Sequence, residues 1–474
     1  MICAETGPQA LTKPAAAVIG ALTENGVMHY CLLSVVPVVI VIVLAVATRR
    51  AFESILAGTL AASLILYHTH FITGWTNAFL EVAGSRDNQW ILLMCGLFGS
   101  LVALLTASKG TRGFKTLGAK ICRTARSTRL TAFVLGVIIY IDDYLNMITV
   151  GTCMQGIFDR RKISRESLAY IMDSTGTPVC VLLPFSTWAA FYGKLFLKEK
   201  AVQAIGITNE IRLYTHIIPY AFYAILTVLI VFLFCAGVIP AVGMMKTAEE
   251  RSKKFGNGPQ TVFVAKDAPD DEGKLIDFVV PLLALVVGTL AFGDIFPALI
   301  LSICVCGILY IPRRRIAPAD FGHYIIKGFC DMVPTLVIVL MALLLADFSE
   351  RLGMSTFVIE AALPLMTKYS FPAITFAVVA ILCFATSSTW GLSAIVVPVI
   401  LPLAADVNAN LFLVMGAILS GSTFGSHACF YSDATVLAAS SAGVNNMDHA
   451  LTQLPYALIA AGISLAMYVV AAMV

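Results

Sequence analysis

LTAFVLGVIIYIDDYLNMITVGTCMQGIF, residues 130–158, is apolar enough to enter a bilayer, yet it carries two adjacent acids, Asp142 and Asp143, at its middle. A charged group at the centre of a membrane helix costs roughly 2.5–3.5 kcal/mol on insertion scales, and such groups mark ion or proton paths. Cations flank the stretch on both sides. Lys109, Arg112, Lys115, Lys120, Arg123, Arg126 and Arg129 precede it, and Arg160, Arg161, Lys162 and Arg165 follow it. Lys and Arg favour the cytoplasmic side of a membrane, so both ends belong there. At about 1.5 Å of rise per residue the stretch is too short for two crossings of a core about 30 Å thick. A re-entrant hairpin satisfies both constraints and puts Ile141-Asp142-Asp143-Tyr144 at its tip.

The rest of the chain is in keeping with that reading. Its 474 residues are 59% hydrophobic and 12% charged, with a mean hydropathy of +0.89, whereas a soluble domain carries about 25% charged residues. Apolar runs of about 20 residues recur, as spanning helices require. The fold class is therefore an all-α polytopic membrane protein with the lipid bilayer as its surroundings. A net charge of +3 is too small to point to nucleic acid. The N-terminus, with Glu5 and a single early cation at Lys13, lacks the basic start of a signal peptide. The twelve cysteines are scattered through apolar runs without ligand spacing, which suits small buried hydrophobes better than disulfides or zinc. No HExxH, Walker loop or serine elbow is present, so an enzyme is not expected.

Spans are expected near residues 28–48, 51–68, 89–108, 168–192 and 217–238, then near 276–294, 296–312, 320–347, 410–440 and 453–473. A second stretch, 371–405, has a polar break at FATSSTWG followed by Pro398 and Pro402, and is read as a second hairpin. Arg49-Arg50 fixes the first span's end inside, and counting onward puts the 109–129 loop and Arg313-Arg314-Arg315 inside as well. The first hairpin then enters from the cytoplasm, the second from outside, and both termini lie outside. One loop resists: 193–216 should be outside, yet it holds Lys194, Lys198, Lys200 and Arg212 against Glu199 and Glu210. The expected organisation is an N-terminal segment 1–27, a first repeat 28–238, a cytoplasmic linker 239–275 and a second repeat 276–474. The repeats run in opposite directions with broken helices at midplane, as in secondary transporters. The charged stretch 246–275, rich in Gly and Pro, supplies most of the linker.

Four polar clusters interrupt the apolar runs. The first is Asp142, Asp143, Asn146 and Thr149. Neighbouring helical residues point about 100° apart, so an unwound tip is needed for one Asp to face a cavity while the other accepts backbone N–H groups. The second is Asp173-Ser174-Thr175-Gly176-Thr177-Pro178, followed by Pro184, Ser186 and Thr187, an oxygen-rich break suited to a hard cation. The bland alternative is a kinked helix whose hydroxyls bond their own turn. The third, Thr386-Ser387-Ser388-Thr389, carries no charge and supplies either neutral ligands or partners for broken backbone. The fourth is Ser420-Gly421-Ser422-Thr423-Phe424-Gly425-Ser426-His427, with Cys429, Tyr431, Ser432 and Asp433. Here Asp433 reads as an ion ligand or proton carrier, and His427 as a group that titrates near neutral pH or a structural hydrogen-bonded residue. Trp188, Tyr192, Trp390, Phe430 and Tyr431 lie beside the breaks, as packing residues or as walls for an organic substrate.

The runs IDDYLNMITVGT, SRESLAYIMDSTGTPVCVLLPFSTWAAF, SSTWGLSAIVVPVILPLA and FGSHACFYSDATVLAASSAGVNNMDHALTQLPYA resemble the NhaC-type sodium/proton antiporter family of the ion transporter superfamily, over most of residues 89–460. The resemblance implies inverted repeats, an elevator-like motion and a site drawn from Asp142, Asp143, Asn146 and Asp173-Ser174-Thr175 with Ser388-Thr389-Trp390, Gly425 and Ser432-Asp433. Where family members often read FGDxxSPISDTT, this chain reads FGSHACFYSDAT. Ser426 replaces an acid, and Cys429-Phe430-Tyr431 brings in two rings.

The expected function is cation-coupled secondary transport in the cytoplasmic membrane, with Na+/H+ antiport leading and Na+- or H+-coupled carriage of an amino acid or small organic acid as the alternative. Ion- or proton-binding residues are Asp142, Asp143, Asn146, Asp173, Ser174, Thr175 and Asp433, with Asp142, Asp173 and Asp433 as Na+ ligands. Substrate-binding residues are Thr177, Ser388, Thr389, Trp390, Ser422, Thr423, Ser426 and His427. No cofactor is expected beyond Na+ and H+ as coupling ions. The expected partners are a small ion or organic solute and the bilayer, with a homodimer compatible with the sequence.

Overall fold

A computed structural model describes residues 31–48, 50–108, 121–140, 142–257, 274, 276–292 and 295–473. The expected N-terminal segment 1–27, the basic run 109–120, the tip residue Ile141 and most of the linker beyond residue 257 lie outside the described residues.

All regular structure among the described residues is helical. Among the described residues six helices are long and apolar enough to cross a membrane, or up to eight if each of two bent pairs counts as one span. The bends fall at Arg165–Leu182 with Thr187–Leu197 (44°) and at Glu210–Tyr220 with Phe222–Cys235 (61°). Several expected spans are therefore divided. The 168–192 run breaks at Gly176, and again at Leu183–Ser186, where Pro184 withholds a backbone donor and Ser186 caps the helix that follows. The 320–347 run divides at Met332, with Pro334 in the first turn of the next helix. The 410–440 run ends at Ala428 and restarts at Asp433, where Ser432 accepts from Thr435 N. Past the 51–68 run, a further helix, Phe71–Gly84, follows.

The opening stretch folds back on itself. Helix Ala125–Ile138 and helix Asp143–Arg160 are separated by residues 139–142. At the far end, Arg129 and Ser164 both reach one carboxylate, Glu249, at 2.9 Å each. The start of the first helix and the chain just past the second thus meet at one point, which makes the pair antiparallel. Glu249 belongs to helix Gly243–Phe255, a polar helix strapped across this basic face. Its Arg251 also pairs with Glu166, and just beyond it Asn257 donates to Asp159 and to Ile163 O, both at 2.8 Å.

Helices Phe371–Thr386 and Thr389–Asp406 are joined through Ser387, which is left-handed (φ 56°), and Ser388. The first of them packs on helix Leu411–Ala428 through a small-residue seam. A Cβ at Gly421 would press on Val379, and one at Gly425 would lie 2.0 Å from Cys383 Cβ. Glycines four residues apart let helix backbones approach this closely. Helix Leu411–Ala428 lies in the middle of the protein, with almost all of its residues buried.

Candidate functional site

The acids of the first hairpin divide their work. Asp142 is the N-cap of helix Asp143–Arg160 and accepts from Leu145 N at 3.1 Å. This cap lies at a buried break rather than an aqueous helix end. Asp143 turns the other way. Its Oδ2 accepts from Thr177 Oγ1 at 2.9 Å and from Trp188 Nε1 at 3.2 Å. Its Oδ1 is buried and has no hydrogen-bond partner.

Asn146 lies one turn on, and its amide nitrogen faces the carbonyls of Gly136, Ile139 (2.9 Å) and Thr175 (3.2 Å). One side chain thereby ties both arms of the hairpin to the end of helix Arg165–Thr175. Its Oδ1, like Thr149 Oγ1 a further turn along, is buried without a partner. Spacing of three residues puts side chains on one helix face. Asp143, Asn146 and Thr149 therefore present a row of three unpartnered oxygens, and each such buried group costs about 1–3 kcal/mol.

Asp173 forms a second centre, fully buried. Its Oδ2 lies 2.8 Å from Gln453 Nε2, 3.1 Å from His449 Nε2 and 3.2 Å from Thr435 Oγ1, while Oδ1 has no partner. The next residue, Ser174, is hydrogen-bonded to His427 Nε2 at 3.0 Å, and His427 Nδ1 to the Tyr223 hydroxyl at 2.7 Å. Thr175 bonds back to Ile171 O, the kinked-helix alternative, and Thr423 does the same to Leu419 O.

Asp433 opens helix Asp433–Ala442 and accepts from Tyr144 of the hairpin. Asp142 and Asp143 adjoin Tyr144, which donates to Asp433, and Thr435, two residues past Asp433, donates to Asp173. Hydrogen bonds thus connect the elements that carry the four acids. The acids do not form a metal cluster, since among the described residues no three His, Cys, Asp or Glu side chains converge as ligands.

The second hairpin meets these acids through a ring contact, since Trp390 packs on Trp188, whose Nε1 donates to Asp143. Ser388 lines a cavity of about 300 Å³ together with Glu81, Asp347, Glu350 and Thr386. Among the described residues, neither Ser388 nor Thr389 is hydrogen-bonded to Asp143, Asp173 or Asp433; Thr389 O accepts from Ser393. Ser422 reaches Ser393 at 3.1 Å, and Ser393 reaches the Tyr192 hydroxyl at 2.7 Å. Ser426 contributes its carbonyl to Ser432. Trp390 stacks among Trp188 (4.9 Å between centroids), Phe191 (4.6 Å) and Tyr192 (6.3 Å), so these rings pack on one another.

Buried acids at helix breaks suit a cation carrier, and the comparison with protein families agrees. A model described as the Na+/H+ antiporter family matches residues 179–473, more than half of the chain. The chain belongs to the Na+/H+ antiporter family. This antiporter also resembles an uncharacterized protein of Haemophilus influenzae, at 27% identity over 460 residues, covering 90% of this chain and 88% of the relative. Membership makes the antiporter a multi-pass membrane transporter of ions rather than an enzyme. The matched region includes Asp433, His427 and the second hairpin, while Asp142, Asp143 and Asp173 precede it.

Sequence reading missed Tyr144, Tyr223, Thr435, His449 and Gln453. Only His449 and Gln453 left a signal, as polar residues four apart near the start of a long apolar helix.

Proposed function

We propose that this antiporter exchanges Na+ for H+ across the cytoplasmic membrane, loading Na+ on the hairpin face of Asp143, Asn146 and Thr149 and using Asp173 and Asp433 as further acids on the path. One observation carries the reading. Asp143 has one carboxylate oxygen engaged by two donors and the other buried without any. In a low-dielectric interior such an oxygen requires a cation or a proton. One oxygen that accepts either makes the two mutually exclusive, which is what exchange needs. Asn146 Oδ1 and Thr149 Oγ1 are neutral oxygens of the kind a hard cation prefers.

The chain is read as two inverted repeats joined by a linker on the cytoplasmic, basic face, with the hairpins and broken helices moving against the bundle. A recurrent local feature supports the repeats. Ser186 caps one restarted helix by accepting from Ala189 N and donating to Cys180 O. Ser432 caps another by accepting from Thr435 N and donating to Ser426 O. In each case the serine hydroxyl reaches six residues back. The rival cargo, an amino acid or organic acid, draws little support from the aromatic residues, which fill their own space.

Purified carrier in proteoliposomes tests the reading. A Na+ gradient alone should drive proton movement, and Asp143→Asn or Asp173→Asn should abolish it while leaving the folded carrier in the membrane. Transport that requires an added organic solute would replace this reading with the rival, and near-normal exchange by either variant would remove that acid from the mechanism.

A further inference from the structure

Asp173 is satisfied on one side only. Its Oδ2 faces Gln453, His449 and Thr435, and its Oδ1 faces none. The large majority of buried polar atoms have a hydrogen-bond partner, so an orphaned carboxylate oxygen calls for an explanation. This asymmetry orients the group.

The orienting side chains are themselves fixed. The Gln453 amide donates to His427 O as well as to Asp173. Flipping that amide would aim its oxygen at a carboxylate and a carbonyl together, so only one orientation is chemically acceptable. His427 is in turn held by Ser174 and Tyr223. His449 has to carry its hydrogen on Nε2 to bond the carboxylate. Its Nδ1 is buried without a partner, so the ring contributes Nε2 alone, to Asp173. Thr435 stands in the first turn after the 429–432 break, with its backbone N–H held on Ser432 Oγ at 3.2 Å. Helices Asp433–Ala442 and Asn446–Ala471 thus grip an acid of helix Arg165–Thr175 from across the chain.

We infer that Gln453 and His449 are positioning residues for ion exchange, clamping Asp173 Oδ2 so that Oδ1 alone is presented to the cation. The inference rests on the Na+/H+ reading above. Without the clamp the carboxylate turns freely between its two oxygens, and the cation loses a preorganised ligand. The cost then falls on Na+ recognition more than on the rate of the loaded carrier.

The test compares Gln453→Met, which keeps volume and removes the amide, with His449→Leu and His449→Gln, the last of which keeps a nitrogen donor at a similar reach. Na+-driven proton movement is measured over a range of Na+ concentrations, alongside the melting temperature in detergent. Gln453→Met and His449→Leu should raise the KM for Na+ about tenfold with kcat within about twofold, and His449→Gln should restore KM to near the wild-type value. An unchanged KM in Gln453→Met, a loss confined to kcat, or a His449→Gln variant as impaired as His449→Leu would overturn the clamp. Those outcomes are distinct from failure of the underlying reading, in which the wild-type protein moves no protons on Na+ addition or Asp173→Asn exchanges normally.

Discussion

Tyr144, the residue directly after the paired acids, donates its phenolic hydrogen to Asp433, 289 residues further along the chain. The hairpin and the restarted helix at Asp433 are thereby joined through an acid that also accepts from Ala434 N at 2.8 Å. Hydrogen bonds to a charged group contribute about 1.5–3 kcal/mol. Tyr144→Phe keeps the ring and removes the donor, and should lower kcat/KM for Na+-driven proton movement about tenfold or more without loss of protein from the membrane. Wild-type kinetics in that variant would detach Asp433 from the exchange.

Competition at a single carboxylate oxygen sets the sign of the pH effect. Protonation fills the position that Na+ needs, so acid should raise the apparent KM for Na+, and alkali should lower it toward a plateau. Initial rates at several Na+ concentrations between about pH 6 and 9 measure this. A KM flat across that range would place Na+ and H+ on separate groups.

The seam at Gly421 and Gly425 leaves no room for side chains, because an added Cβ at Gly425 would overlap Cys383. Gly425→Leu should force helices Phe371–Thr386 and Leu411–Ala428 apart and leave little folded carrier, whereas Gly322→Ala, at a position open around its Cβ, should be tolerated. Fluorescence-detected size exclusion of the two variants separates these outcomes, and a monodisperse Gly425→Leu peak at wild-type yield would show that the close approach is dispensable.

Glu249 holds the basic face together through Arg129 and Ser164. Removing one member of a mostly buried ion pair costs about 3–5 kcal/mol, since the other charge is left uncompensated. Glu249→Ala should therefore melt several degrees below wild type in detergent, and Glu249→Gln, which keeps one of the two accepting oxygens, by less. Equal melting temperatures for all three proteins would mean that the strap carries no load.

The residues made plain by sequence were those that violate their surroundings. Asp142 and Asp143 in an apolar run, cations on both sides of it, and Gly176 with Pro184 inside a span each contradict a simple crossing helix, and each marks a break in the fold. The break at 429–432 was hidden because Cys-Phe-Tyr-Ser contains neither glycine nor proline. Its one clue is a serine able to cap, Ser432, ahead of Asp433. The partners of the acids were hidden for another reason. Tyr144, Tyr223 and Thr435 are ordinary residues in isolation, and only folding brings them to a carboxylate more than 250 positions away or to His427. The divided roles of Asp142 and Asp143 likewise depend on which way the chain turns after residue 140.

The grip on Asp173 also bears on how the carrier is made. Its donors lie 262 to 280 residues downstream, and synthesis proceeds from the N-terminus. For most of translation, then, the growing polypeptide holds a carboxylate destined for the bilayer interior with none of its eventual companions yet made. Until helix Asn446–Ala471 arrives, water or a bound proton must stand in for them, so the exchange pathway cannot be complete before that helix is made.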